Sequence, residues 1–162
     1  MLAPERQLVD NAWADQMDIL EFVRGHSLGV QASVSPSLSP QAAVVGFIVT
    51  EDFELFFDTV ESTRKATNLR QNSTIAFVIG GLADGDERTV QYEGVADEPQ
   101  GQELEQLKER YFRRFPEGRA RQQWPGILYV RVRPRWLRFS NFNTTPPDIV
   151  EFRFSEGKLV RG

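Results

Sequence analysis

In this 162-residue chain, an apolar strand running Leu55-Phe56-Phe57-Asp58-Thr59 gives way within a few residues to Ser62-Thr63-Arg64-Lys65, two hydroxyls followed by two cations. That order suits the start of a helix. Ser62 or Thr63 can cap it, its first amides and the positive end of its dipole point outward, and Arg64 and Lys65 add full charges. Such a step can hold an anion, and a phosphate monoester fits it well. The same order also serves an ordinary capped helix, so the residues alone leave both uses open.

Other chemistry is largely excluded by composition. The chain has no cysteine and one histidine, His26. Thiolate metal sites, disulfides, a nucleophilic cysteine and a histidine cage are therefore absent, and a histidine-dependent triad is a poor expectation. His26 follows Gly25 and reads as a helix-terminating or turn residue. The acidic pairs Glu51/Asp52 and Asp84/Asp86 fall in turns without apolar surroundings to separate their proton affinities, which argues against paired acid and base catalysis. Chemistry in such a chain has to come from a bound organic group.

Charge is unevenly distributed. The net charge is −4, but residues 1–100 carry −10 and residues 101–162 carry +6. The acidic total argues against nucleic acid as a partner, while the basic second half can still present a patch to a small anion. Arg110, Arg113, Arg114, Arg119 and Arg121 are interrupted by Glu109 and Glu117 and read as a solvated helix face or a dimer contact. No run approaches the roughly 20 apolar residues of a membrane span, and the first twenty residues lack a leader pattern, so a cytoplasmic location is expected.

The elements that must position the cationic step follow from periodicity. With 40% hydrophobic and 26% charged residues, the length suits one domain, 1–162, with a sizeable core. An N-terminal helix within residues 1–25 is expected, with Pro4 near its start and Val9, Trp13, Met17 and Leu20 on its apolar face. Strands are expected over Leu28–Val34, where Val30, Ala32 and Val34 alternate with polar residues, then over Ala42–Thr50 and Phe53–Asp58 as a hairpin. A helix over 63–71 precedes Ile75–Ile79, read as a strand buried on both faces, and a strand through Val90, Tyr92 and Val95 with Gly94 as a bulge. A helix over 99–115 opens at Pro99 and presents Leu104, Leu107, Tyr111 and Phe115. Two strands, Ile127–Val132 and Trp136–Phe142, flank Pro134, and a weaker pair, Ile149–Phe154 and Lys158–Val160, ends the chain. Consecutive strands without βαβ alternation predict a mainly β fold, an antiparallel barrel or curved sheet over residues 28–160 with helices at its ends.

The run from Leu55 to Lys65 resembles the flavin-binding signature of the pyridoxamine 5'-phosphate oxidase-like split-barrel family, with Thr63 in the place of a serine. Arg88-Thr89-Val90-Gln91 through Gly94 is similar to that family's next strand, and Trp124 to Val132 followed by Trp136 to Phe139 is similar to its late strands. The likeness spans roughly residues 28–142 in the family's order.

The resemblance implies an antiparallel split β-barrel of the FMN-binding type, a homodimer with FMN at the subunit interface, and a flavin-dependent oxidoreductase acting on a small molecule. By position, Asp58 and Thr59 lie against the flavin or its phosphate chain. Thr63, Arg64 and Lys65 hold the phosphate, and Thr89 and Gln91 stand near the ring. Trp124 and Trp136 could stack on a flavin of the partner subunit, with a core or interface role as the alternative. Two departures matter. The family's second strand carries an arginine and a lysine toward the phosphate, and here it reads Ala42-Ala43-Val44-Val45-Gly46-Phe47-Ile48-Val49. Arg131, Arg133 and Arg138 are the candidates to compensate. The family's C-terminal Arg-Leu and tryptophan segment is also missing, so a true pyridoxamine phosphate oxidase is not expected. The alternative function is a non-catalytic module holding flavin, deazaflavin or haem in the same cleft.

Overall fold

The computed structural model describes residues 11–156 and 158–160, with side chains from Asp15 onward. In chain order the elements are α1 (Asn11–Arg24), β1 (Leu28–Val34), β2 (Pro40–Gly46), β3 (Ile48–Val49), β4 (Leu55–Val60), α2 (Arg64–Gln71), β5 (Thr74–Gly80) and β6 (Arg88–Asp97). They continue with α3 (Gly101–Arg114), α4 (Gly118–Arg121), β7 (Ile127–Asn141), β8 (Asp148–Ser155) and β9 (Lys158–Val160). All strand pairs are antiparallel, and the main order is β2-β1-β5-β6-β7-β4-β3, with β8 added to β7 and β9 to β8. The sheet curls around its core without closing and has helices against it, which is the split-barrel architecture expected from the sequence.

The interior is aromatic. Phe57, Phe77 and Tyr92 pack edge to face in a chain across β4, β5 and β6, with centroids 6.0 and 6.3 Å apart. The Tyr92 hydroxyl donates to the carbonyls of Phe53 at 2.9 Å and Val132 at 3.2 Å, so its polar end is satisfied inside the core. A second cluster lies on the other face of β4, where Phe56 meets Leu107, Tyr111 and Phe112 of α3. β4 is thus covered on both faces, which explains its continuous apolar sequence. Burial of each such side chain contributes roughly 1.5 to 3 kcal/mol.

α1 covers the sheet with Ile19, Leu20, Phe22 and Val23, and Phe22 meets Phe139 of β7 at 5.4 Å. Gly80 makes that approach possible, because a Cβ there would stand 2.7 Å from the Phe22 ring and its φ is +80°. The expected stripe is rotated: Met17 is exposed, while Leu20 is buried as predicted. Pro4, Val9 and the Trp13 side chain lie outside the described residues.

Four strand expectations change. On β1 the polar residues Gln31 and Ser33 are buried, and Val30, Ala32 and Val34 are only half-buried, the reverse of the predicted facing. β5 is buried on one face only, since Val78 is 45% exposed. The predicted hairpin forms through β3 alone: β2 pairs with β1, and the chain breaks at Phe47 so that Ile48 and Val49 can pair with Phe56 and Leu55. The two strands predicted around Pro134 are one strand, β7. Gly94 faces Pro134 and Glu93 faces Trp136, so Arg135 is an extra residue with no partner on β6. That bulge accommodates a proline inside a ladder it cannot donate to. A bulge was expected at Gly94 on β6, and the irregularity does fall there, but its extra residue lies opposite on β7; the close backbone approach requires glycine, because a Cβ would meet the Arg133 carbonyl at 2.5 Å.

Candidate functional site

α2 begins as the sequence predicts. Thr63 is its N-cap with extended backbone, and its hydroxyl accepts from the Ala66 amide at 3.4 Å. The Thr63 hydroxyl also lies 3.1 Å from that of Thr59, and Lys65 Nζ donates to the Thr59 hydroxyl at 3.4 Å. Thr59, Thr63 and Lys65 therefore form one polar cluster where β4 ends and α2 starts. The amides of Arg64 and Lys65 stand in the first helical turn, where no intrahelical acceptor reaches them.

Thr63, Arg64 and Lys65 form one wall of a cleft of about 250 Å³, and Gln31, Ser33, Gln41, Ala42 and Ala43 of β1 and β2 form the other. Among the described residues, neither Arg64 nor Lys65 has a carboxylate within ion-pair distance, whereas Arg24, Arg70, Arg88, Arg110, Arg119 and Arg121 all do. Burial pulls the Lys65 ammonium below the ordinary value of 10.5, the sign of a cation desolvated without an anion. Two unpaired cations, a capping hydroxyl and helix-start amides around one cleft are an arrangement that can hold an anion.

The β1–β2 wall of the cleft, and Asn68 behind it, are residues that sequence reasoning missed. Gln31 is 1% exposed and its Oε1 has no hydrogen-bond partner. Asn68 of α2 is buried and donates to Ser33 Oγ and Gln41 Oε1, each at 3.0 Å. The available signal was the parity of β1: Gly29, Gln31 and Ser33 alternate as regularly as Val30, Ala32 and Val34.

The remaining predicted positions are not brought into this cleft. Asp58 lies on the opposite face of β4 from Thr59, where Tyr111 donates to its Oδ1 at 3.0 Å and Arg121 Nε to its Oδ2 at 2.8 Å. Burial and the adjacent Asp58 carboxylate push the Tyr111 hydroxyl well above its ordinary value. Thr89 pairs with Gly80 and Ser140 along the sheet. Gln91 lies in an outward row between Val78 and Arg138. Trp124 is 53% exposed in the loop before β7, close to the end of β4 because the Gly126 carbonyl accepts from Glu61 N at 2.8 Å. Trp136 is half-buried and faces Glu93 and Arg153 across the sheet.

The proposed compensating arginines are committed elsewhere. Arg131 is buried and holds Asp97 through two bonds of 2.9 and 2.8 Å, with Glu103 as a further partner. Arg133 meets Asp97 at 3.1 Å, and Arg138 meets Glu151 at 3.5 Å. Internal carboxylates already absorb these charges, so they do not replace the missing cations of the second strand. The described residues contain no cluster of metal-ligating side chains and no helix long and apolar enough to cross a membrane.

The family model of pyridoxamine 5'-phosphate oxidase matches residues 16–141. Among solved structures, a haem binding protein from Mycobacterium smegmatis is similar with a TM-score of 0.71 at 13% identity, over 93% of this chain and 59% of that one. The chain thus spans less than two thirds of that relative. A pyridoxamine 5'-phosphate oxidase-related, FMN binding protein from Nostoc punctiforme aligns over 99% of this chain and 98% of its own, with a TM-score of 0.64 and 13% identity. A haem storage protein from Vibrio cholerae aligns over 74% and 89%, with a TM-score of 0.65 and 18% identity. At these identities the likeness is one of fold. Among curated proteins there is no match to this sequence.

Proposed function

Since the chain belongs to the pyridoxamine 5'-phosphate oxidase family, we propose that it binds FMN with the phosphate in the cleft between α2 and the β1–β2 wall, and works as a flavin-dependent oxidoreductase on a small molecule. The observation that carries this reading is the pair of unpaired cations, Arg64 and Lys65, beside a capping hydroxyl in that cleft. Lys65 is desolvated there, and a phosphate would supply the charge it lacks. When bound, FMN supplies reversible electron transfer, which a chain without cysteine and with one histidine does not provide by itself. Arg64, Lys65 and Thr63 would hold and orient the cofactor by its phosphate.

Haem fits this cleft less well. None of its lining residues is a histidine, cysteine, methionine or tyrosine, so it offers no axial ligand. His26 stands at the other end of β1, its Nδ1 donating to the Phe22 carbonyl at 2.8 Å.

A second copy of the chain is part of the proposal. Val30, Val44 and Val78 lie side by side across β2, β1 and β5 on the outward face, and Val44 is 61% exposed. Such a contiguous apolar sheet face suits a homodimer contact.

The visible spectrum of the purified protein and the mass of any released ligand test the reading. A yellow protein absorbing near ~450 nm that releases FMN supports it. Colourless protein that takes up no added FMN overturns it, and bound flavin that no nicotinamide donor reduces would leave a binding module without the oxidoreductase activity.

A further inference from the structure

The cleft is asymmetric in a way the cofactor reading does not use. One wall carries the cations Arg64 and Lys65, and the other carries only uncharged groups, Gln31, Ser33 and Gln41, beside Ala42 and Ala43. Gln31 pairs with Ala43 and Ser33 with Gln41 in the β1–β2 ladder, so the three polar side chains sit together on one inward patch. Within it, Gln31 Oε1 is buried without a hydrogen-bond partner.

Asn68 sets which ends of these groups remain available. Its amide donates to Gln41 Oε1 and to Ser33 Oγ. With its oxygen engaged, Gln41 keeps its NH₂ for the cleft, and the Ser33 hydroxyl proton is left free to donate. Gln31 lines the same cleft, and its amide NH₂ is a donor of the same kind.

We propose that Gln31, Ser33 and Gln41 form a neutral hydrogen-bonding wall that grips the ligand's phosphate opposite Arg64 and Lys65, with Asn68 as the residue that positions Ser33 and Gln41. The inference rests on the reading that this cleft takes a phosphate. Neutral donors hold an anion more weakly than cations do, so the subsite selects a phosphate by its shape and lone pairs with only two full charges beside it.

The test uses the whole chain, with FMN, riboflavin and inorganic phosphate as probes. In the wild-type protein the side-chain NH₂ resonances of Gln31 and Gln41 shift on addition of inorganic phosphate. In Asn68→Ala the Gln41 response is lost and the Gln31 response is kept. Gln31→Glu, which places a carboxylate against the phosphate, weakens FMN binding by at least about tenfold and riboflavin binding by less than about twofold. Gln31→Leu serves as a second variant if the glutamate form does not fold, with a loss of about three- to tenfold for FMN alone. FMN binding in wild type with unchanged affinity in the folded Gln31 variants overturns the neutral wall and leaves the cofactor reading standing. Phosphate-induced shifts in a protein that takes no FMN keep the wall and overturn the cofactor reading. An unchanged Gln41 response in Asn68→Ala overturns the positioning role, and absence of shifts and of FMN binding overturns everything proposed for the cleft.

Discussion

The hydroxyls of Thr59 and Thr63 stand 3.1 Å apart and tie the last turn of a barrel strand to the cap of the helix that follows it. Lys65 reaches the same Thr59 oxygen, so strand end, cap and cation are joined in one hydrogen-bonded cluster. Anything bound at the helix start is thereby referenced to the barrel core through β4.

Replacing both Arg64 and Lys65 with alanine should lower FMN affinity by about 10² to 10⁴, since each charge-assisted contact is worth about 1.5 to 3 kcal/mol. Riboflavin, which lacks the phosphate, should bind nearly as before. Fluorescence titration with both flavins measures this, and equal losses for the two would remove the phosphate from this helix start.

Lys65 gives the cleft a pH dependence of opposite sign for ligand and for fold. Burial lowers its affinity for a proton below the ordinary 10.5, so the unfolded chain holds that proton at pH values where the folded chain has released it. Stability of the ligand-free protein should therefore rise with pH across the window between the lowered value and 10.5. FMN affinity should fall over the same rise, because the phosphate loses its cation. Urea midpoints and FMN titrations from neutral pH to 10.5 check both slopes, and Lys65→Arg should flatten them.

Thr63→Ala removes the α2 cap and the partner of Thr59, with an expected cost of about 1 kcal/mol and a fall in Tm of about 2 to 4 °C. Thr63→Ser keeps both hydrogen bonds and should stay close to wild type. Thermal denaturation of the two variants is the comparison, and an unaffected alanine variant would show the cap to be dispensable.

Asp58→Ala should separate stability from binding. It strands Arg121 and Tyr111 beneath α3 and α4, for an expected loss of about 1 to 3 kcal/mol. Since Asp58 faces away from the cleft, FMN affinity of the folded variant should change by less than about twofold. A large affinity loss without a stability loss would return Asp58 to the binding site.

Val44→Lys places a charge in the outward apolar row and should convert the proposed dimer to monomer in sedimentation. FMN binding should weaken with it. A wild-type protein that is already monomeric at micromolar concentration would refute the homodimer.

The helix start at Thr63 was legible because capping is local: hydroxyls, amides and cations within four residues decide it. The irregularity at Gly94 was legible from the glycine, but not that its extra residue falls on β7. The facing of β1 was not, because Gly29-Gln31-Ser33 and Val30-Ala32-Val34 fit a pleated strand equally well, and which set turns inward is decided by what packs there. An aliphatic set reads as core, yet here it forms the outward row and the polar set lines the cleft. The commitment of Arg131, Arg133 and Arg138 to carboxylates was equally hidden, since their partners Asp97, Glu103 and Glu151 are set by ladder register and by α3. Asp58 was misplaced by one residue's worth of pleat, its neighbour Thr59 meeting Thr63 and Lys65 at the start of α2 while it faces α3.

The extra residue at Arg135 reaches beyond the proline it accommodates. On one side β7 pairs with β6 from Arg131 to Asn141, across the bulge, but on the other it pairs with β4 from Ile127 to Val132 and with β8 only from Trp136. The bulge occupies the seam where one neighbour stops and the next begins. Even-numbered residues such as Val130 and Val132 point into the core before it, and odd-numbered ones such as Leu137 do so after it. The chain therefore changes phase at the one place where no second neighbour reads its phase. A one-residue deletion at Arg135 would remove the phase change and leave Val130, Val132 and Leu137 on the same inward face of an unbroken strand.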